Sequence, residues 1–315
     1  MKVLANVSII YPYLKNLDFD LILGGNSGWI LSLNYVLAKM TNKKLISIAH
    51  GNDFLIRNSL SLRTYFLRNT NKIIVTNNPM KRIIKKMHHL DDNTLEVIHI
   101  GLDSNALEIK NSKQELRKEF NIPEDEFVVL SVGRHVARKN FDLVIKAINE
   151  IKELKPSLNL KYYLIGKGEE TKYLKNLTRR LELSDYVEFL GACDSVMRNK
   201  FYKLSDLFIM PSITEKAHIE GFGIVFLEAN YFKIPVIGAA TGGMAEAIID
   251  KKTGLLVKPN KLQDLIDKIL LLINDKEKRV TFGENGYKRV IKDFNWEKII
   301  EDYIRVFNNT CKKIS

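Results

Sequence analysis

Two carboxylates, Glu220 and Glu228, enclose the run Gly-Phe-Gly-Ile-Val-Phe-Leu in a Glu-x7-Glu pattern. Glu220 precedes the Gly-Phe-Gly turn, while Glu228 falls about one turn into an apolar helix predicted over 224–232. The two side chains therefore need not share a face and can reach different parts of one ligand. Between them, the amide N–H groups at the helix start and the positive end of its dipole make a seat for phosphate. The order carboxylate, anion seat, carboxylate suits a sugar, a diphosphate and a ribose in turn. Upstream, Gly133-Arg134 ends an apolar β-rich run, and Lys139 follows just before another predicted helix. Two cations at the mouth of a strand-to-helix loop suit a diphosphate, first in binding and then in neutralising it as a leaving group. Solvated loop charges are the plain alternative.

The elements that must position these residues alternate along the chain. Strands are predicted over 127–132, 162–165, 187–190, 207–210, 235–237 and 254–257, with helices over 141–151, 171–183, 196–204, 224–232 and 244–249 between them. The first part repeats the pattern with strands over 21–23, 45–48, 72–75 and 95–98 and helices over 29–40, 55–67 and the segment after Asn78. This alternation predicts an α/β protein with parallel sheets, whose ligands bind beyond the carboxyl ends of the strands. The polar, charged stretch 108–126 reads as the connection between two halves. The domains expected are 1–108, 109–296 and a returning helix over 297–315, with a cleft between the first two.

Composition narrows the class. With 315 residues, 45% hydrophobic and 27% charged, the chain can build two packed cores. No apolar run approaches the roughly 20 residues that span a bilayer, and the start lacks a long apolar leader, so a cytoplasmic protein is expected. Cys193 and Cys311 are too few for a disulfide framework, and the six histidines show no His-Glu-x-x-His spacing, so no metal is expected. The net charge of +12 is unevenly spread. Arg57, Arg63, Arg68, Lys72, Lys81, Arg82, Lys85 and Lys86 fall in a stretch without Asp or Glu. There Asn78 and Pro79 read as helix cap and first position, Met80, Ile83, Ile84 and Met87 as an apolar face, and Lys81, Arg82, Lys85, Lys86 and His89 as a basic one. An anionic membrane surface is one partner of such a segment, 57–86; plain solvent is the other reading. Nucleic acid explains the charge but not Glu220 and Glu228, which repel phosphate.

Along nearly its whole length the chain resembles the family 4 retaining glycosyltransferases of the GT-B fold. The matching text is SVGRHVARKNFDLVIKAI, YYLIGKGEE, VEFLGACD, YKLSDLFIMPS, EGFGIVFLEANYFKIPVIGAATGGMAEAIIDKKTGLLV and FNWEKIIEDY. The resemblance implies two Rossmann-like domains and transfer of a sugar from a nucleotide-diphosphate donor with retention and no essential metal. The acceptor would be a glycan or a lipid-linked molecule, in cell-surface polysaccharide or glycolipid synthesis. Arg134 and Lys139 match the pair on the donor diphosphate, Glu220 the carboxylate facing the donor sugar, and Glu228 the one on the ribose hydroxyls. Backbone groups of Gly221, Phe222, Gly223, Ile224 and Val225 match sugar and phosphate contacts, and Cys193 a main-chain contact near the base. SIAHGNDF makes His50 the candidate at the reaction centre. The last helix, 296–307, looks like the one that crosses back to the first domain. A sugar phosphorylase or synthase, or a sugar-nucleotide-binding subunit that needs a partner, are the alternatives.

The chain also departs from the family pattern. Roughly two strand-helix units that usually precede 20–53, with their Gly-rich loop, have no counterpart. Either the first domain is truly reduced or the start is internal. Gly24-Gly25 and Gly28 offer a substitute nest or simply a tight turn. His135 stands where an apolar residue is common, as a further donor to phosphate or as a water-facing side chain. Asp18-Phe-Asp20 spells the motif of metal-dependent glycosyltransferases without their context and reads as coincidence. Gly166-Lys-Gly168 reads as a turn, and Asp103 as structural.

Overall fold

The computed structural model describes residues 2–25, 29–49, 62–214 and 221–312. It divides into two compact units. Unit 1 comprises Met1–Ile100, Lys216–Phe222 and Trp296–Ser315; unit 2 comprises Gly101–Glu215 and Gly223–Asn295.

In unit 1 the elements are α1 (Lys2–Leu14), β1 (Leu21–Gly24), α2 (Trp29–Met40), β2 (Lys44–Ala49), α3 (Leu62–Arg68), β3 (Lys72–Val75), α4 (Asn78–His88) and β4 (Leu95–Val97). The four strands pair in parallel in the order β1-β2-β3-β4. Because side chains alternate across a strand, neighbouring apolar residues serve opposite cores. Ile73 and Val75 join Leu31, Leu67, Met80 and Ile84 from α2, α3 and α4. Ile46 and Ile74 instead face Ile299 and Val306 of the last helix, Trp296–Cys311. The described part of the expected helix 55–67 is α3, and Arg57 lies outside the described residues.

The basic helix forms as α4, with Met80 and Ile84 buried and Ile83 and Met87 packed beside them. Its cap is one residue earlier than expected: Asn77, in extended conformation, accepts a hydrogen bond from Met80 N at 2.7 Å, and Asn78 is the first helical residue. A capping residue stands outside the helix in extended backbone, which Asn77 does and Asn78, already helical, does not. The opposite face is less free than its composition suggests, because Lys81 and Lys85 both approach Asp92. Helix α1 was not anticipated; it has no acidic residue in its first turn, and Pro12 inside it reads as a break. Val7, with Leu33 and Leu37, ties it to α2.

Unit 2 runs α5 (Lys113–Glu119), β5 (Phe127–Val132), α6 (Phe141–Leu154), β6 (Leu160–Ile165), α7 (Thr171–Arg180), β7 (Val187–Gly191), α8 (Ser195–Leu204), β8 (Leu207–Met210), α9 (Ile224–Tyr231), β9 (Val236–Ala239), α10 (Met244–Ala247), β10 (Gly254–Val257), α11 (Leu262–Asn274) and α12 (Lys276–Asp293). Six parallel strands are ordered β10-β9-β8-β5-β6-β7. All six residues of β5 are buried, as a central strand covered on both faces requires. The chain winds outward one way from β5 to β7 and the other way from β8 to β10. The reversal between β5 and β8 is the crevice where such sheets bind ligands.

The stretch expected as a connection is folded. Ser112 and Glu115 form a capping box that starts α5. Arg117, buried, donates to the carbonyls of Pro123, Glu124 and Glu126 and to Asp206 Oδ2 at 2.7 Å. Its charge organises the approach to β5. Helices α11 and α12, not assigned from sequence, pack along unit 2 beside α6 and α9.

Candidate active site in the second unit

The chain leaves β5 at Gly133-Arg134, makes a tight turn over Ala137–Lys139, and enters α6 through Asn140 in the left-handed conformation, φ 59°. This loop is fastened across the strand-order reversal. Ile213 N donates to Arg138 O at 2.8 Å, and Asn140 Nδ2 donates to Pro211 O at 3.2 Å. The two predicted cations separate here. Lys139 is buried, with Nζ 3.3 Å from Sδ of Met210, the last residue of β8. Arg134 is exposed. The ammonium thus stands at the carboxyl end of two central strands, the end at which a parallel sheet binds ligands.

The second anion-attracting feature is the start of α9. Gly223 opens it with φ 77°, a left-handed conformation in which a Cβ would come within 2.8 Å of the Phe226 ring. The N–H groups of Ile224 and Val225, in the first turn, have no acceptor within the helix. Both residues, with Gly223 and Gly221, are partly exposed. Phe222 differs: its side chain is buried in unit 1, 5.0 Å from the His99 ring. Glu220 and His50 lie outside the described residues, as does Gly28.

Glu228 is buried on α9. Tyr202 of α8 donates its O–H to Glu228 Oε2 at 2.9 Å, and Arg198, one turn earlier on α8, stands 3.6 Å from Oε1. Burial, then the charge of Glu228, raise the Tyr202 phenol well above its usual range, so it remains a donor. Sequence reasoning passed over both partners. The signal was present in their spacing, since 198 and 202 lie on one face of the predicted helix 196–204.

His135 does not face water; it is fully buried. Its ring meets those of Phe141 and Phe189 edge-on, and Nδ1 lies 2.9 Å from Thr171 Oγ1. Thr171 Oγ1 also accepts from Gly168 N at 3.0 Å. Burial, helped by the Lys175 charge, pushes the imidazole down to about 4. His135 borders a cavity of about 310 Å³ with Gly166, Gly168, Thr171, Lys175, Phe189 and Gly191, at the ends of β6 and β7. Gly166 is required there, since a Cβ would fall 1.9 Å from Gly133 O. The Cys193 thiol leans on the carbonyls of Leu190 and Gly191, and burial raises it, so it offers no reactive thiolate. Asp103 caps the next turn, accepting from Asn105 N and Ala106 N. Among the described residues no three His, Cys, Asp or Glu side chains converge as metal ligands.

A family model described as glycosyl transferases group 1 matches residues 112–289, which include β5 to β10 and the whole of this site. The chain belongs to that family. Among the members it resembles, an uncharacterized glycosyltransferase of Methanocaldococcus jannaschii is 34% identical over 263 residues, 82% of this chain and 66% of the relative. N-acetyl-alpha-D-glucosaminyl L-malate synthase of Bacillus anthracis is 27% identical over 272 residues, 85% of this chain and 68% of the relative. This group 1 glycosyl transferase chain thus spans between 56% and 68% of the length of the first curated relatives it matches. Its fold is GT-B, with two Rossmann-like parallel-sheet units. It superimposes on the structure of HepE of Anabaena in complex with UDP and glucose with a TM-score of 0.79 at 21% identity, covering 96% of this chain and 81% of that one.

Proposed function

We infer that the chain binds a nucleotide-diphosphate sugar in unit 2 and passes its sugar, with retention at the anomeric carbon, to a glycan or lipid-linked acceptor. The observation that carries this reading is the convergence of Lys139, the start of α9 and Glu228 at one end of the second sheet. A buried ammonium stands at the strand-order reversal of a parallel sheet that also presents the helix start at Gly223 and the carboxylate of Glu228. The donor diphosphate lies against Lys139, Arg134 and the first turn of α9, and the ribose against Glu228. As the glycosidic bond to phosphate breaks, negative charge grows on the leaving group, and these groups hold it more tightly than they hold the donor. The acceptor attacks from the same face, and the leaving phosphate takes its proton. By the resemblance of their motifs alone, Glu220 is proposed to orient the sugar and His50 to act on the reacting sugar. These cations take the part a metal plays elsewhere, so donor binding persists in chelator.

The HepE complex with UDP and glucose supports a nucleotide donor, and the basic face of α4 supports an acceptor at an anionic membrane, in cell-surface glycan or glycolipid synthesis. A thermal-shift screen of UDP, GDP, ADP and their sugars tests the donor. A nucleotide at 100 times its dissociation constant stabilises the fold by about 2.7 kcal/mol. No shift from any of them sinks the reading. The four-stranded sheet of unit 1 favours a second reading, a donor-binding subunit completed by a partner; donor binding without turnover, restored by a co-expressed neighbour, separates the two.

A further inference from the structure

A carboxylate that grips a vicinal diol must present lone pairs to two hydroxyls at once, so its plane matters as much as its charge. Glu228 has that plane set from within unit 2. Tyr202 is wholly buried, its ring stacked on Phe232 at 5.9 Å and 12° and tilted against Phe208 at 5.7 Å. The hydroxyl has little room to move and donates to Oε2 at 2.9 Å. Arg198 faces the other oxygen at 3.6 Å, close enough for charge and too far for a hydrogen bond. Tyr202 thus occupies one lone pair of Oε2, and the Glu228 side chain keeps 11% of its surface exposed. An unconstrained carboxylate would rotate about its last torsion, which is broad and soft, and would lose the second hydroxyl much of the time.

We propose that Tyr202 is a positioning residue which, with Arg198, fixes the plane of Glu228 so that it reads the 2′,3′-diol of the donor's ribose. The inference rests on the donor reading above. It adds that preference for ribo- over 2′-deoxyribonucleoside diphosphates is set by a side chain that never touches the nucleotide.

Calorimetry on the full chain tests it with UDP, 2′-deoxy-UDP, GDP and 2′-deoxy-GDP. The unaltered protein prefers the ribo form by about tenfold or more, the weight of one hydrogen bond to a charged group. Tyr202→Phe keeps the ring and removes the hydroxyl; it loses most of that preference, while its affinity for the 2′-deoxy form barely changes. Arg198→Gln, at a partly exposed site, loses a smaller part. A purely structural role for Tyr202 weakens both nucleotides alike and leaves their ratio intact, which overturns the inference while the donor reading stands. If Tyr202→Phe does not fold, the ratio in Arg198→Gln decides, and an unchanged ratio there is equally fatal. If the unaltered protein binds none of the four, the donor reading fails and takes this inference with it.

Discussion

At Glu228, exchange of the carboxylate for its amide leaves the shape of the α9 side chain unchanged and removes its charge. Glu228→Gln weakens nucleotide binding by about 1.5–3 kcal/mol, the cost of charged hydrogen bonds lost, with a smaller effect on turnover of bound donor. Lys139→Ala does the reverse if the proposed donor site holds: turnover collapses, since the reading puts the leaving phosphate against this ammonium beside Met210. Steady-state kinetics of the two variants separate the roles, and equal, slight effects count against both. His135 gives a pH signature. Its imidazole is held down to about 4 in the folded chain, against about 6.5 unfolded, so the unfolded state binds the extra proton between these values. Stability is therefore full above about pH 6.5 and falls as the pH drops toward 4, by roughly 2–3 kcal/mol at about 1.4 kcal/mol per pH unit. Urea melts at pH 7.5 and 4 measure the loss, and His135→Gln shows less of it.

Helix α12 meets α9 and the turn after it at close quarters, and two glycines allow this. A Cβ at Gly283 would fall 1.9 Å from Lys233 O, and one at Gly286 2.5 Å from the Asn230 side-chain amide. Helix propensity alone favours alanine at 283 by about 1 kcal/mol. The backbone contact wins, because a carbonyl cannot rotate aside as a side chain can. Gly283→Ala lowers the urea midpoint, corresponding to about 1–3 kcal/mol of overpacking; an unchanged or raised midpoint contradicts the contact. Element α5 teaches the opposite lesson about charge. Arg117, in the polar stretch read as a connection, closes the carbonyls of the turn ahead of β5 and pairs with Asp206, whose Oδ2 also accepts from Val128 N.

For the molecule as a whole, the charge of +12 leaves membrane attraction open to a direct test. Among the described residues no helix is long and apolar enough to cross a bilayer. On α4 the apolar residues are committed to the core of unit 1 and two lysines to Asp92, so Arg82 and Lys86 are the exposed cations on offer. Each contributes about 1 kcal/mol near an anionic leaflet. Flotation with phosphatidylglycerol vesicles should therefore carry the protein at low salt and release it at high salt, and Arg82→Glu with Lys86→Glu should abolish it. Equal flotation with neutral phosphatidylcholine argues against an electrostatic surface.

Strands β3, β5, β8 and β10 were legible to the residue, because buried parallel strands are short apolar runs bounded by turns. Local order of that kind also made the Glu-x7-Glu motif, the Gly-Arg and Lys of the β5–α6 loop and the start of α9 readable, since each depends on neighbours a few residues away. Lys139 lying beside Met210, Tyr202 beneath Glu228, and His135 sealed between Phe141 and Phe189 were not readable in this way. Those pairs are brought together by strand order, and strand order follows from which apolar faces bury each other across the sheet, a property of the folded chain and of no single segment.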